Sequence, residues 1–210
     1  MTNLAAIELA PACGTTSIDA VRRFLGGEHR KLEAHFGRAL EALADGDPSA
    51  WGRFREELLR HIGIEERILL PALREARGGD PDPLAARLRL DHGALAALLV
   101  PSPTSRVLGT IAGILAEHEP REEGPGGLFA SADESLASRA PSIVERMQLA
   151  PSVPVSPHND DPRVLPAVER ALSRAGYRLL ARSEASAAIE RLCEIVSLAS
   201  GGELPGVVPS

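Results

Sequence analysis

The chain has 210 residues, 44% of them hydrophobic but only 3% aromatic, and a formal net charge of −6. That length holds one large domain, or an ordinary domain with an appendage, and a core poor in rings must be built from Leu, Ala, Val and Ile, which suits helices better than strands. The acidic balance, without a basic run, argues against nucleic acid or an anionic membrane as partner, and no apolar segment approaches the ~20 residues of a membrane span.

Residues 1–12 have no basic start and carry Glu8 inside an apolar stretch, so a signal peptide is not expected. Cys13 and Cys193 lie far apart without CxxC spacing. A disulfide framework is therefore not indicated, and the cytoplasm is the default compartment. The first helical pattern covers residues 17–44. Ile18, Val21, Leu25, Leu32, Phe36, Leu40 and Leu43 form one apolar stripe at three- and four-residue steps, with Thr16 or Ser17 as cap and Asp45-Gly46-Asp47 as stop. A second helix opens on Asp47 with Pro48 in its first turn. Its seam reads Trp51, Phe54, Leu58, His61, Glu65, Ile68, Ala72, and Pro71 is placed to kink it before Gly78-Gly79. A third starts at Asp82-Pro83, aligns Leu84, Leu88, His92, Leu95 and Leu99, and stops at Pro101. The fourth starts near Thr104 and carries Val107, Ile111, Ile114, Leu115 and His118 up to Pro120 and the Gly124-Pro125-Gly126-Gly127 break.

Short connections imply antiparallel neighbours. The expectation is an all-α protein. An N-terminal extension (1–15) precedes an up-down-up-down four-helix bundle (16–130). A helix and Pro-rich linker (131–162) then lead to a small α/β or helical appendage (163–210).

Four of the six histidines fall one per bundle helix: His29, His61, His92 and His118. Each lies on or beside an apolar stripe, and four imidazoles in an aliphatic core are unfavourable unless something binds them. His61 is followed four residues on by Glu65, and His118 by Glu122, a spacing that stacks both side chains on one helix face. Each half of the bundle thus has a His helix followed by a His-x3-Glu-Glu helix. Carboxylates on different helices can each bridge two ions while the imidazoles cap the outside. Four His and two bridging Glu supply about eight metal–ligand bonds, and an oxo or hydroxo bridge about two more. Two octahedral ions need about twelve, so about two positions stay open to water, O2, NO or peroxide. Imidazole and carboxylate donors without thiolate suit iron or manganese better than calcium, and zinc accepts the same donors.

Glu28-His29, the run from His61 to Pro71, Asp91-His92, and the run from His118 through Glu122-Glu123 resemble the bacterial hemerythrin-like (HHE cation-binding) domains over residues 17–130. The resemblance implies a non-haem centre of two iron ions. His29, His61, His92 and His118 would be terminal ligands and Glu65 and Glu122 bridges. It also implies binding or processing of O2, NO or peroxide, as in a peroxide- or NO-processing oxidoreductase. Oxygen carriers of the family have a second histidine four residues past the first on the third helix. Here that position is Ala96, which favours reactive chemistry over carriage. The family's iron–sulfur repair members carry an N-terminal cysteine pair, and only Cys13 precedes the bundle. Pro120 lies inside the fourth His-x3-Glu step and is expected to fray the helix end, leaving Glu122 and Glu123 as alternative ligands. His35 and His158 read as solvent-facing or incidental, and Glu28 as a surface acid or an acceptor for a neighbouring imidazole.

Residues 153–194 read as strand, Asp-Asp-Pro, helix, Gly-Tyr, strand (177–181), helix. Asn159-Asp160-Asp161-Pro162 and the run from Glu169 to Tyr177 resemble the opening third of a response-regulator receiver domain. That resemblance implies remnants of a magnesium-holding acidic pair at Asn159 and Asp160, without a phosphoacceptor. Such a segment would pack on the bundle, pair with a second copy or meet a protein partner. Two further functions follow from these features: a non-enzymatic oxygen, redox or iron sensor signalling through the C-terminal segment, and a structural or storage metal site.

Overall fold

In the computed structural model, residues 19–45 and 47–200 are described, and among them every regular element is helical. The bundle consists of four rods. The first is α1 (Ala20–Asp45) and the second is α2 (Pro48–Ile64), which runs through a π-helical turn (Glu65–Leu69) into α3 (Leu70–Ala76). The third and fourth are α4 (Ala85–Leu98) and α5 (Ser105–Glu123). Asp47 accepts the Ser49 N–H at 2.8 Å to cap α2, and Thr104 accepts the Val107 N–H at 3.2 Å to cap α5; such side-chain oxygens satisfy N–H groups that a helix start leaves unpaired. Asp82 acts one turn earlier than expected. Its Oδ1 accepts the Leu84 N–H at 2.9 Å, and α4 begins only at Ala85.

The expected seam of the second rod breaks at the π turn. An extra residue per turn rotates the face that follows, so Leu69 and Leu73 are fully buried while Ile68 is only half-buried. Pro71 stands just past this turn and has no N–H for the preceding helical carbonyl. Leu70 instead donates five residues back, to the Glu65 carbonyl.

Apolar burial falls into two clusters along the bundle. One holds Leu32, Phe36, Trp51, Phe54, Leu58, Leu95, Leu98, Val107, Leu108, Ile111 and Leu115. The other holds Val21, Leu25, Ile64, Leu69, Leu73, Leu88, Leu128, Phe129 and Ile143. On α1, the second rod and α4 the buried histidine falls between the stretches that feed the two clusters, and on α5 His118 and Glu122 lie between the first cluster's residues and Leu128 of the second.

The remaining helices close around this bundle. The segment ahead of the Pro-rich linker, expected to hold one helix, holds two, α6 (Leu128–Ser135) and α7 (Ala140–Gln148), with Pro141 in the first turn of α7 where its missing N–H does no harm. Both pack on α1. Next come α8 (Val164–Arg174), which packs on α4, and α9 (Arg182–Ser200), which packs on α5.

The receiver-like reading finds no support. Among the described residues, 153–161 and 177–181 form no strand. No neighbouring strand pairs with 177–181; its backbone is taken up by α5. Thr110 Oγ1 accepts the Leu180 N–H at 3.0 Å, and Arg106 donates to the Leu180 carbonyl at 2.8 Å. Asp160 holds the Ser102 N–H at 2.9 Å, and Asp161 pairs with Arg163. These acids build turns, and among the described residues they join no group of ligands that could hold a metal ion. Thr16, Ser17, Ile18, Cys13, Gly46 and the terminal Gly201-Gly202 lie outside the described residues.

Gly109 is where α9 crosses α5, and a Cβ there would strike the Ala185 backbone. Gly109→Val should therefore lift α9 off the core and cost about 1–3 kcal/mol. Urea denaturation should show the loss as a lower midpoint with an unchanged slope.

Candidate metal centre

The bundle brings six predicted residues into the layer between the two apolar clusters. His29 comes from α1, His61 from the last turn of α2, and Glu65 opens the π turn. His92 comes from α4, and His118 and Glu122 share one face of α5. The histidines are each 3% exposed and the two glutamates 0%. Their donor atoms form two groups, His29–His61–Glu65–Glu122 and Glu65–His92–His118–Glu122, each spanning at most 4.8 Å.

Both glutamates belong to both groups, and the oxygens of each divide between them. Glu65 Oε1 lies 3.3 Å from His61 Nε2, and Oε2 lies 3.0 Å from His92 Nε2. Glu122 Oε2 lies 3.3 Å from His29 Nε2, and Oε1 lies 3.3 Å from His118 Nε2. All four oxygens are buried, yet none finds a hydrogen-bond partner. The Nε2 atoms of His29 and His61 face each other at 3.0 Å. Unsatisfied buried carboxylates with lone pairs converging on imidazole nitrogens are the arrangement a cation relieves, so the donor set fits a metal.

The outer nitrogens are held differently. His29 Nδ1 lies 2.5 Å from Glu123 Oε1, His92 Nδ1 2.8 Å from Glu66 Oε1, and His118 Nδ1 3.4 Å from Asp91 Oδ2. His61 Nδ1 is buried without a partner. Carboxylates in this position fix ring orientation and raise ligand basicity. Each of these three acids is a sequence neighbour of an expected ligand, and that adjacency was the one available clue to them. Glu122 faces both groups, whereas Glu123 is half-exposed and turns to His29 alone.

The end of α5 is sealed rather than frayed. Pro120 sits on the exposed side and the helix continues through it to Glu123. The glycine break then folds tightly back. Gly124 donates to the Pro120 carbonyl at 3.0 Å, and a Cβ on Gly127 would strike the Glu122 and Arg121 carbonyls. Phe129, just beyond, lies 5.3 Å from the His29 ring.

Burial alone would push the imidazoles of His29, His92 and His118 down, but the carboxylates outweigh it. Glu65 and Glu66 hold His92 up at about 9, and Glu122 and Asp91 hold His118 up at about 10. Glu122 and Glu123 likewise raise His29 well above the usual range. Burial pushes Glu65 up, yet His61 and His92 bring it well below the usual carboxylate range. Glu119 goes the other way, pushed up to about 7 chiefly by burial.

Of the remaining candidates, His35 is half-buried beside Arg38 and His158 is exposed. Glu28 is buried rather than at the surface; it pairs with Arg60 and Lys31, and the structure gives it no hydrogen bond to an imidazole. Ala96 offers no donor.

Residues 21–124 match the hemerythrin HHE cation-binding domain family. This segment of the chain belongs to that family. Searches of curated proteins and of solved structures give no significant match. The hemerythrin domain and its two buried His/Glu groups together fit a metal-binding site. No helix among the described residues is long and apolar enough to cross a membrane.

In the metal-free hemerythrin domain the raised imidazoles stabilise the fold through their protonated form. That contribution is complete below an unfolded value near 6.5 and is lost as the pH rises through about 9 to 10. The melting temperature of metal-free protein, followed by circular dichroism, should fall from pH 7 to pH 10. A flat or rising profile would contradict the paired, protonated arrangement.

Proposed function

We propose that this hemerythrin-like protein holds two iron ions and uses them to bind O2, NO or peroxide, with redox activity on that ligand. His29 and His61 would hold one ion and His92 and His118 the other, with Glu65 and Glu122 bridging them. One observation carries this reading: each of the two buried glutamates turns one oxygen toward each histidine pair. A single ion would not use both pairs, and a hydrogen-bonded polar core would not leave all four oxygens unsatisfied. Bound there, iron supplies electrons and open positions at which a small ligand is held and reduced.

The chain's own residues support that chemistry. Ala96 stands where oxygen carriers have a further histidine, which leaves an additional open position. The two apolar clusters flank the site and keep bulk water out, while Phe129 covers His29. Glu66, Glu123 and Asp91 keep the outer nitrogens oriented so that each Nε2 points inward.

Elemental analysis of protein from iron-supplied cells should find about two irons per chain, with near-ultraviolet absorption from a bridged pair. His61→Ala should remove at least half of the iron and that absorption while leaving the helical content intact. Reduced protein should consume peroxide or NO faster than the His61→Ala variant. One zinc per chain, or no metal, would overturn the di-iron reading in favour of a structural site. Two irons without such consumption would remove the redox part alone.

A further inference from the structure

The two halves of the centre repeat one pattern, an acid placed just before the histidine of the leading helix: Glu28 before His29 and Asp91 before His92. The repeat breaks at one atom. In the first half, Glu28 is drawn to Arg60 and Lys31, and His61 Nδ1 is left buried and alone. In the second half, Asp91 is 0% exposed and its Oδ2 lies 3.4 Å from His118 Nδ1. Both imidazoles of the second half, His92 and His118, are thus backed by a carboxylate, against one of two in the first.

Asp91 is held by two arginines of the bundle, and those arginines are in turn held by residues beyond 124. Its Oδ1 lies 2.7 Å from Arg87 Nη2, and its Oδ2 accepts Arg121 Nη1 at 3.2 Å. Arg87 in turn donates to the Ala175 carbonyl at 2.8 Å and lies 5.0 Å from the centre of the Tyr177 ring. Tyr177 donates to Glu117 Oε2 at 3.4 Å, the same oxygen that takes Arg121 Nη2 at 3.0 Å. The connection between α8 and α9 therefore grips both arginines that hold the acid. Without that grip, Asp91 would be a buried carboxylate between two arginines free to swing to solvent.

We propose that the two metal positions are unequal. On the two-ion reading above, the His92–His118 position binds first and more tightly, and the Ala175–Tyr177 segment sets that order by holding Arg87, Arg121 and through them Asp91. Asp91 and Tyr177 act as positioning residues: they touch no metal, and they determine how His118 presents its Nε2. A carboxylate behind a ligating imidazole typically contributes about 10–100-fold in metal affinity.

The test is a cobalt(II) titration of the metal-free full chain, followed by calorimetry and by the visible absorption of bound cobalt. Two steps separated by about 10–100-fold are expected, with His61→Ala removing the weaker and His118→Ala the tighter. Asp91→Asn should weaken the tighter step toward the other and leave the weaker unchanged. Tyr177→Leu changes only a half-buried ring at the periphery. It should shift the tighter step in the same direction by a smaller factor and alter the absorption of the first cobalt equivalent, and it decides the matter alone should Asp91→Asn not fold. Glu28→Gln, the counterpart in the other half, should leave the gap between the steps in place. Equal steps in the parent chain, or variants that weaken both steps alike, would overturn the inference while the two-ion centre stands. Fewer than two cobalt ions per chain would overturn both.

Discussion

Two carboxylates sit where no water reaches them, and the rest of the bundle is arranged around that fact. Glu65 and Glu122 are both 0% exposed. An ionised carboxylate removed from water without a counter-charge is destabilising by several kcal/mol. The chain answers with four imidazoles, one from each rod, and in the absence of metal those of His29, His92 and His118 serve as counter-ions by taking up protons. A divalent cation would take the place of those protons at the same atoms. The outer carboxylates of Glu66, Glu123 and Asp91 serve either state, since they accept from Nδ1 whichever partner Nε2 has. The π turn at Glu65 and the glycine fold behind Glu122 follow from the same constraint. Each places a helix irregularity beside a bridging carboxylate and so fixes where its two oxygens point.

Much of this was legible in the sequence because helical periodicity reports faces directly. Val21, Leu25, Leu32 and Phe36 line one side of α1 as their spacing requires, and His29 falls in the gap between them. The same holds for Leu88, His92 and Leu95 on α4. Periodicity fails where the helix itself changes. The seam through Ile68 assumed a constant pitch, and the π turn moved burial to Leu69 and Leu73. Pro120 read as a disruption because a proline removes one hydrogen bond. Whether the loop beyond folds back to restore order depends on Gly124 and Gly127 meeting carbonyls several residues away, which a local pattern does not reveal. Glu28 misled for a similar reason: its partner Arg60 lies on another helix.

The C-terminal segment was the least legible. Tyr177, Leu179 and Leu180 have the composition of a strand, but a strand needs a neighbour to pair with, and Thr110 and Arg106 of α5 supplied the hydrogen bonds instead. Val168, Leu172, Ala188 and Leu192 then join the same apolar cluster as Leu108 and Ile111. Gly109, with no Cβ to meet the Ala185 backbone, lets α9 lie close enough to α5 for this to happen.

That shared core has a practical consequence for anyone cutting the gene. A fragment trimmed to residues 21–124 would look complete by its ligands, since all six are inside it. It would nonetheless expose the apolar face of α5 to solvent, release Arg87 from the Ala175 carbonyl, and strip Phe129 from over His29. Such an excised piece would tend to aggregate through the bared α5 surface. Any metal it did hold would sit in an altered pocket, so its affinities and colours would describe the fragment and not the parent chain.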